Sequence, residues 1–497
     1  MRVRSRCLPL CALTLALLVT ACGTRLPDRD FAVAGTAVGP TTGPSGSAGV
    51  PSGGPTASAG PAATTTASTG PGHFEPGAPT GPSASSGYGA NPASDVGVTA
   101  TTIRLGTISS RTNAFDPTAF VGPTYGVQAF VDDLNRHGGI HGRTVQLFSC
   151  DDHGDGSRDN ACVRQLIDND KVFALVSNSI FSYAGASYVQ SKGVPDIGSQ
   201  PIDTAYDRYS HLWDIYGEAY PRNGSIGYNG QLEGGTEVYH YFKERFPKVP
   251  LKAGVVYYNQ GDSQRFADNL TKGLQKEGYS VVDEEVNFAL PNYDAAVLDM
   301  KSQGVTYVYD ALDAGGNQNL CASMDSNGLS SQLNAKVTTT QSWVASIASQ
   351  YSPSPICRNK IWSTGNTRNY QDTQYPQVRA FRDAMSRRHT DGPDQLSEWA
   401  LEGWAGGLWL SDAMTSCGAA LTRHCVEAFM ARDVKYDGHG LLTPRDFVRS
   451  PHRTHTVNCL NVARWQDGAQ GGKGGWVTQV NDMDSTCWDV PTVLYSP

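Results

Sequence analysis

Small polar residues collect where short apolar runs end, and those are the places to look first for chemistry. The stretch Ser109-Ser110-Arg111-Thr112-Asn113 follows the apolar run 102–108. Asn178, Ser179 and Ser182 follow the run 172–177, and Ser199 and Gln200 follow 194–198. If these runs are strands of an open α/β sheet, their carboxyl ends are where ligands bind. Hydroxyls and free backbone N–H groups beside a helix start can hold a carboxylate there. Helix capping by Ser179 or Ser182 is the everyday use of the same residues and is compatible with binding. Later runs end in 257–261 (YYNQG, with Tyr258), 310–316 (DALDAGG) and 340–343 (TQSW, with Gln341). A buried ammonium needs a carboxylate or several acceptors, since an unpaired buried charge is costly; Asp313 is the first choice and Asp310 the second.

Other constellations carry less. Residues 97–497 contain no HExxH, no phosphate-loop pattern and no GxSxG elbow. The acidic stretch 151–156 (DDHGDG) begins like a calcium loop, but its twelfth position is Cys162 where a bidentate Glu is needed. It reads as a solvated loop. Gly471-Gly472-Lys473 lacks phosphate-loop spacing and reads as a turn between strands. Arg111, facing a cleft, would favour an anionic group; a solvated surface position is its simpler role. Trp213, Tyr216 and Tyr220 suit core or hinge packing before ligand stacking.

These positions need strands and helices in alternation to bring them together, and residues 97–152 start such a series. The run 102–108 reads as a buried strand; Tyr125, Ala129, Val131 and Leu134 recur at helical spacing; HGGIHG (137–142) breaks the helix; 144–148 supplies a second strand. Short helices over 161–168 and 182–191 alternate with strands over 172–177 and 194–198. A second set begins with a strand at 251–258 and a helix carrying Phe266, Leu270 and Leu274 on one face. Strands are expected at 281–288, 305–309 and 336–340, and Leu401, Trp404 and Leu408 mark a long amphipathic helix. This alternation predicts an α/β fold with mainly parallel sheets.

The N-terminal region differs in kind. Arg2, Arg4 and Arg6 precede an apolar run, 8–21, too short to span a bilayer comfortably, and Val19-Thr20-Ala21-Cys22 resembles a bacterial lipobox with Cys22 as the lipidated residue. Residues 23–96 are dominated by Gly, Pro, Ser, Thr and Ala and bury too little apolar surface to fold. As a flexible linker this stretch has a reach on the order of 45 Å. The net charge of -8, with no basic stripe, argues against nucleic acid and anionic lipid surfaces as partners. Of the 11 cysteines, Cys7 and Cys11 lie in the leader and Cys22 is the anchor. The remaining Cys150, Cys162, Cys321, Cys357, Cys417, Cys425, Cys459 and Cys487 have no CxxC spacing and suit disulfides outside the cell. They admit roughly a hundred pairings; neighbour pairing in sequence order is expected.

The opening GVT…TIRLG, the helix ending LNRHGGIHGR and the strand running into DD resemble the type I periplasmic binding proteins, the substrate-binding components of branched-chain amino-acid-type ABC importers. The likeness continues through 171–200, 255–278 and 395–413. It implies two Rossmann-like lobes with parallel-rich sheets and an interlobe cleft, the first lobe covering about 97–217 plus 366–432 and the second 218–365 plus 433–497. It implies that the loops holding Ser179, Ser182, Ser199 and Gln200 take the α-carboxylate of an amino acid. Relatives bring a Glu to the ammonium from the loop equivalent to TQSW; Gln341 stands near that place, a departure that leaves amides, ureas, aromatic acids and short peptides open. The function implied is that of a lipid-anchored protein on the outer face of the cell membrane. It would capture a small polar solute, an amino acid, amide or related compound, by hinge closure and pass it to an ABC permease, without catalysis, metal or cofactor. A sensor or adaptor presenting ligand to a signalling partner is the rival expectation.

Overall fold

The computed structural model describes residues 91–113, 120–216, 224–338, 340–432, 435–444 and 452–497, without the side chains of Gln200, Pro201 and Gln341. The expected leader, the expected anchor Cys22 and almost all of the expected linker lie outside the described residues, as does Tyr220.

The first sheet grows from β1 (Thr102–Ser109), α1 (Gly122–Arg136), β2 (Thr144–Asp151), α2 (Gly156–Arg164), β3 (Ala174–Val176), β4 (Ser179–Ile180), α3 (Ala186–Ser191), β5 (Asp196–Gly198), β6 (Gln200–Pro201) and β7 (Leu212–Asp214). Every pairing in it is parallel. β1 is central: β2 pairs along its length, β3 lies beside its middle and β4 beside its last residue. The strand expected at 172–177 is realised only as β3, with β4 a separate strand beyond it. The break falls at Ser177, whose φ of 53 is left-handed. The Asn178 side-chain oxygen fills the gap by accepting from the Ile108 N–H at 2.8 Å, so the ladder donor freed by the bulge is not left unpaired.

The chain then forms β8 (Leu232–Gly235), α4 (Glu237–Arg245), β9 (Lys252–Tyr258), α5 (Gly261–Lys276), β10 (Ser280–Val286), α6 (Tyr293–Ser302), β11 (Tyr307–Ala311), α7 (Ala314–Ser326), β12 (Ala335–Thr338), α8 (Ile347–Gln350), α9 (Pro355–Arg358) and β13 (Ile361–Gly365). It continues through α10 (Pro376–Arg387), α11 (Glu398–Ser416), α12 (Arg423–Met430), β14 (His455–Cys459), β15 (Asn461–Gln466), β16 (Gly475–Thr478) and β17 (Cys487–Tyr495). The second sheet has the order β10-β9-β11-β12-β13-β15-β16. It is parallel through β13 and antiparallel beyond it. A small antiparallel sheet, β14-β17-β8, closes the chain. Two lobes with parallel-rich sheets are therefore present.

α11 departs from the amphipathic expectation. Almost its whole surface is buried, glycines and Glu402 included, as befits a central helix covered on all sides. It packs on α1 at glycine contacts: a Cβ on Gly126 would lie 1.8 Å from the Ala400 carbonyl oxygen, and one on Gly403 2.2 Å from that of Pro123. No side chain fits at either place. α5 also departs: Leu270 and Leu274 are buried, but Phe266 lies on the outer face. The helix expected over 182–191 begins only at Ala186 and has neither Ser179 nor Ser182 as its cap.

Four disulfides join Cys150–Cys162, Cys321–Cys357, Cys417–Cys425 and Cys459–Cys487, the sequence-order pairing. Cys162, the residue that spoils the calcium-loop reading, is thus bonded to the end of β2. Between β15 and β16, Gly471 and Gly472 adopt positive φ, a turn between strands. Among the described residues no helix is long and apolar enough to cross a membrane.

Candidate functional site

Three stretches of chain run side by side: the one after β7, the one after β13 and the one between α12 and β14. The Asn366 amide donates to the Ile215 carbonyl at 2.7 Å. The Thr443 N–H donates to Asn366 and that of Arg368 to Leu441. α11 holds two of these stretches with buried carboxylates: Glu398 accepts from the Thr367 hydroxyl and Glu402 from Tyr216 OH, the latter at 2.7 Å. Burial pushes the Glu398 carboxyl well above its ordinary range, the Thr367 bond opposing and Glu402 reinforcing the rise. Tyr216 thus serves packing at a crossing. Trp213 is buried edge-on to Trp409 with ring centroids 6.4 Å apart.

Beside these crossings the carboxyl ends of the two sheets meet. The Trp399 indole N–H, at the start of α11, donates to the Thr340 hydroxyl beyond β12 at 2.8 Å. The Glu398 N–H donates to the Trp343 carbonyl at 2.9 Å, and Arg265 of α5 donates to the Ile202 carbonyl beyond β6.

On the first sheet, Ser109, Ser110, Ser179 and Ser199 come together at the strand ends. Ser109 pairs with Ser179, and Ser179 with Gln200. The Ser110 hydroxyl accepts from the Phe181 N–H at 2.9 Å, and its own N–H donates to the Ser179 carbonyl. The hydroxyls of Ser109, Ser179 and Ser199 are buried and have no hydrogen-bond partner among the described residues. Ser182 is half-buried nearby, its hydroxyl 3.9 Å from where a Cβ on Gly156 would lie. Arg111 is half-exposed and pairs with Asp151 at 3.3 Å. Beneath the serines sits an acidic group the sequence did not single out. Asp196 accepts from Tyr183 OH at 2.5 Å, Tyr206 OH at 3.0 Å and the Asn178 amide. Asp159 accepts from the Gly185 N–H at 2.6 Å, so the helix-start donor that could have served a ligand is already occupied. Burial raises the Asp196 carboxyl to about 6 despite those bonds. It raises Asp159 to about 8, with Asp152, Asp196 and Asp203 reinforcing the rise.

The second sheet spends its carboxylates internally. Asp310 is fully buried against Lys336, Oδ2 to Nζ 2.7 Å, and Lys336 also donates to Asn317. Burial lowers the Lys336 pKa while Asp310 opposes the fall. Asp313 caps α7, accepting from the Gly316 N–H at 2.6 Å and from Tyr258 OH at 3.1 Å. Tyr258 also meets Tyr293 OH at 3.0 Å and the Phe288 ring edge-on. Ser263 ties α5 to the strand ends, accepting from the Tyr258 N–H and donating to the Ala311 carbonyl. Gln341 lies in a single helical turn beyond β12, next to Thr340. Neither aspartate, the residues chosen for an ammonium, stands open to solvent as a lone acceptor.

Sequence reasoning missed an apolar group at the same junction. Phe120, Phe181, Ile202 and Trp399 form a cluster separate from the three larger cores. The Phe120 ring lies 6.1 Å from Phe181 at 85° and 6.0 Å from Trp399 at 53°. Lys336 had a sequence signal, a lone cation in the apolar strand Ala335–Thr338. Arg265 had one too, a cation near a helix start, where the dipole favours acids. Phe120 and Phe181 had none, because an aromatic in a loop looks the same whether it packs or binds. Among the described residues no group of three or more His, Cys, Asp or Glu is arranged to hold a metal ion.

A family model described as periplasmic binding protein matches residues 102–472. The chain is similar in structure to a branched-chain amino acid transporter substrate-binding protein from Streptococcus pneumoniae, in complex with isoleucine: 16% identity, 76% of this chain and 100% of that one, TM-score 0.55. It is also similar to an ABC transporter solute-binding protein from R. palustris in complex with benzoate, at 15% identity over 79% of this chain and 97% of that one, TM-score 0.57. A fatty acid ABC transporter substrate-binding protein from Thermomonospora curvata matches at 15% identity over 80% and 96%, TM-score 0.54. No curated protein matches the chain by sequence.

Proposed function

This chain belongs to the periplasmic binding protein family, and we propose that it captures a small organic solute between its lobes and delivers it to an ABC permease. The observation that carries this reading is the junction of the two sheets. Strand ends with three unpartnered hydroxyls lead into a loop that Arg265 of α5 reaches at Ile202, beside three side-by-side stretches suited to act as a hinge. Hinge closure is supported when the closed state makes contacts the open one lacks; in this reading Trp399–Thr340 and Arg265–Ile202 join the two lobes. In this reading the first lobe comprises 97–217 plus 366–432 and the second 218–365 plus 433–497. What supports that division is the packing of α10 and α11 on α1 and the return of β15 and β16 to the second sheet. Ser109, Ser110, Ser179, Ser182, Ser199 and Gln200 form the first wall of the site, and Tyr258 and Gln341 the second, with Asp313 holding Tyr258 from the cap of α7. Asp310 contributes through its pair with Lys336 and not as a direct contact.

The protein is placed outside the cell and tethered through lipid on Cys22, with 23–96 as the stalk; the leader pattern and the four disulfides support this. Cys22→Ser should release it into the medium, and retention of the variant on membranes would refute the anchor. The function itself is tested by native purification and mass spectrometry of the co-purifying small molecule, followed by thermal shift with that compound. A solute at 100 times its Kd should add about 2.7 kcal/mol of stability. Absence of a co-purifying molecule, with no shift from amino acids, amides, ureas, organic acids or peptides, overturns the reading.

A further inference from the structure

We propose that residues 91–98 form a strap, buckled by Arg143 and the Cys417–Cys425 loop, that fixes the end of the tether to the first lobe on the side away from the candidate site. The strap's role rests on the lipid-anchored reading above, whereas its bonds stand without it. Composition predicts no structure for 23–96, which carries too little apolar surface to fold. Residues 91–96 are nevertheless held, and polar bonds hold them.

The Asn91 amide donates to the His141 carbonyl at 2.9 Å, and the His141 ring donates to the Thr415 carbonyl at 2.9 Å. Arg143 is wholly buried and binds three backbone carbonyls: Thr99 through Nε at 2.8 Å, and Pro92 and Ala419 through Nη2 at 3.0 and 2.8 Å. The Ser94 hydroxyl donates to the Leu421 carbonyl at 2.5 Å, and Asp95 accepts from the Arg423 N–H at 2.8 Å. Arg423 opens α12, so the Asp95 carboxylate sits where the helix dipole favours an anion. The Arg423 guanidinium in turn donates to the carbonyls of Val172 and Phe173, both at 2.8 Å. Gly97 presses on that same segment: its φ is 77, and a Cβ there would lie 2.5 Å from the Phe173 nitrogen. Val98 then enters the core.

Ala419, Leu421 and Arg423 all lie between the two cysteines whose bond joins the end of α11 to the first turn of α12. At a separation of 8 residues this is the shortest of the four ring closures, so it removes the least entropy from the unfolded chain. Its main effect is on the loop itself, whose two carbonyls and one N–H hold Arg143 and the strap. The strap lies at the amino ends of β1 and β2, next to Thr102 and Thr144. Ser109 ends β1 about 23 Å further along, from the rise per residue of a strand. A pull on the tether therefore meets Arg143 and the disulfide loop before it meets β1, and the strand that carries a site serine is shielded from the anchor.

Hydrogen exchange and limited subtilisin digestion of the mature full chain test this. In the wild type the Val98 N–H, bonded to the Asp95 carbonyl at 3.1 Å, should exchange slowly, and subtilisin should spare 91–98. Cys417→Ser/Cys425→Ser and Arg143→Gln should each speed exchange at Val98 at least tenfold and admit a cut within 91–96, while β3 and β5 keep their protection. Because Arg143 is buried, a third variant is altered on the strap alone: Ser94→Ala/Asp95→Ala should release it with the melting temperature near that of the wild type. Free exchange at Val98 with cutting inside 91–96 in the wild type overturns the proposal. So does unchanged protection in both the double-cysteine and the strap variants. Retention of Cys22→Ser on membranes overturns the anchor reading and with it the strap's role, and protection of Val98 in that variant would show its bonds intact.

Discussion

At the end of β11, Asp310 is closed off by Lys336, and three residues on Asp313 is spent on a helix cap and a tyrosine. At the end of β1, the start of β4 and between β5 and β6, by contrast, three serine hydroxyls are enclosed with no partner, and burial raises the carboxyls of two acids beneath them, Asp196 to about 6 and Asp159 to about 8. Both regions are polar tips of parallel strands. In one, Asp310 and Asp313 are engaged by Lys336, Gly316 and Tyr258, with Asp310 Oδ1 alone left unpartnered; in the other, three hydroxyls are left over once the fold is complete. Unspent polarity points to a ligand more strongly than polarity as such, because a buried donor without a partner costs about 1–3 kcal/mol that only an incoming group can return.

The largest effect that would sharpen this contrast is expected at Lys336. Lys336→Met strands a buried carboxylate and should cost about 3–5 kcal/mol in urea unfolding, with most of it recovered in Lys336→Met/Asp310→Leu. A mild single variant would mean that Asp310 is solvated, and the contrast would fail. On the first lobe pH is the probe. Asp159 and Asp196 hold their protons in the folded chain up to about 8 and about 6, whereas the unfolded chain releases them in the ordinary carboxylate range. Their contribution is therefore fully present below about pH 4 and is lost as pH rises to about 8. Melting temperature should decline across that window, and Asp159→Asn should flatten the upper half; an unchanged slope in the variant would exclude Asp159 as its source.

The serines separate stability from binding. Ser109→Ala, Ser179→Ala and Ser199→Ala should leave the melting temperature unchanged or raised, since each removes an unpaired buried hydroxyl. Each should weaken a bound carboxylate about tenfold or more, from the roughly 1.5–3 kcal/mol of a hydrogen bond to a charged group. Destabilisation without loss of affinity would make them structural. The smallest effect is expected at Asp313: Asp313→Ala should cost about 1 kcal/mol as a lost cap, with solute affinity unchanged. A large loss of affinity there would make it a ligand contact and erase the difference between the two tips.

Much of the fold could be read in advance, because the signals are periodic and local. The run from Thr102 to Ser109, the helix through Tyr125 and Leu134, and the strand ending at Tyr258 follow from spacing of apolar residues and from glycine breaks such as 137–142. Boundaries slipped where a side chain from elsewhere intervened. The strand expected at 172–177 is cut short at a left-handed Ser177, and the helix expected at 182 waits until Ala186 because Asp159 holds the turn before it.

The site was legible by place and not by use. The types and positions of Ser109, Ser179 and Ser199 sufficed to mark strand ends, and the expectation of a leader and linker over 1–96 rests on composition alone. Whether Asp310 meets a ligand depended on Lys336, 26 residues away on the neighbouring strand. Whether Trp399 packs or binds depended on Phe120, Phe181 and Thr340, brought to it from three other segments. Periodicity and turn chemistry are properties of neighbours in the chain, so sequence determined the strands, the helices and their order. Whether a charge or hydroxyl is already satisfied is a property of neighbours in space, and the tertiary fold alone decided it.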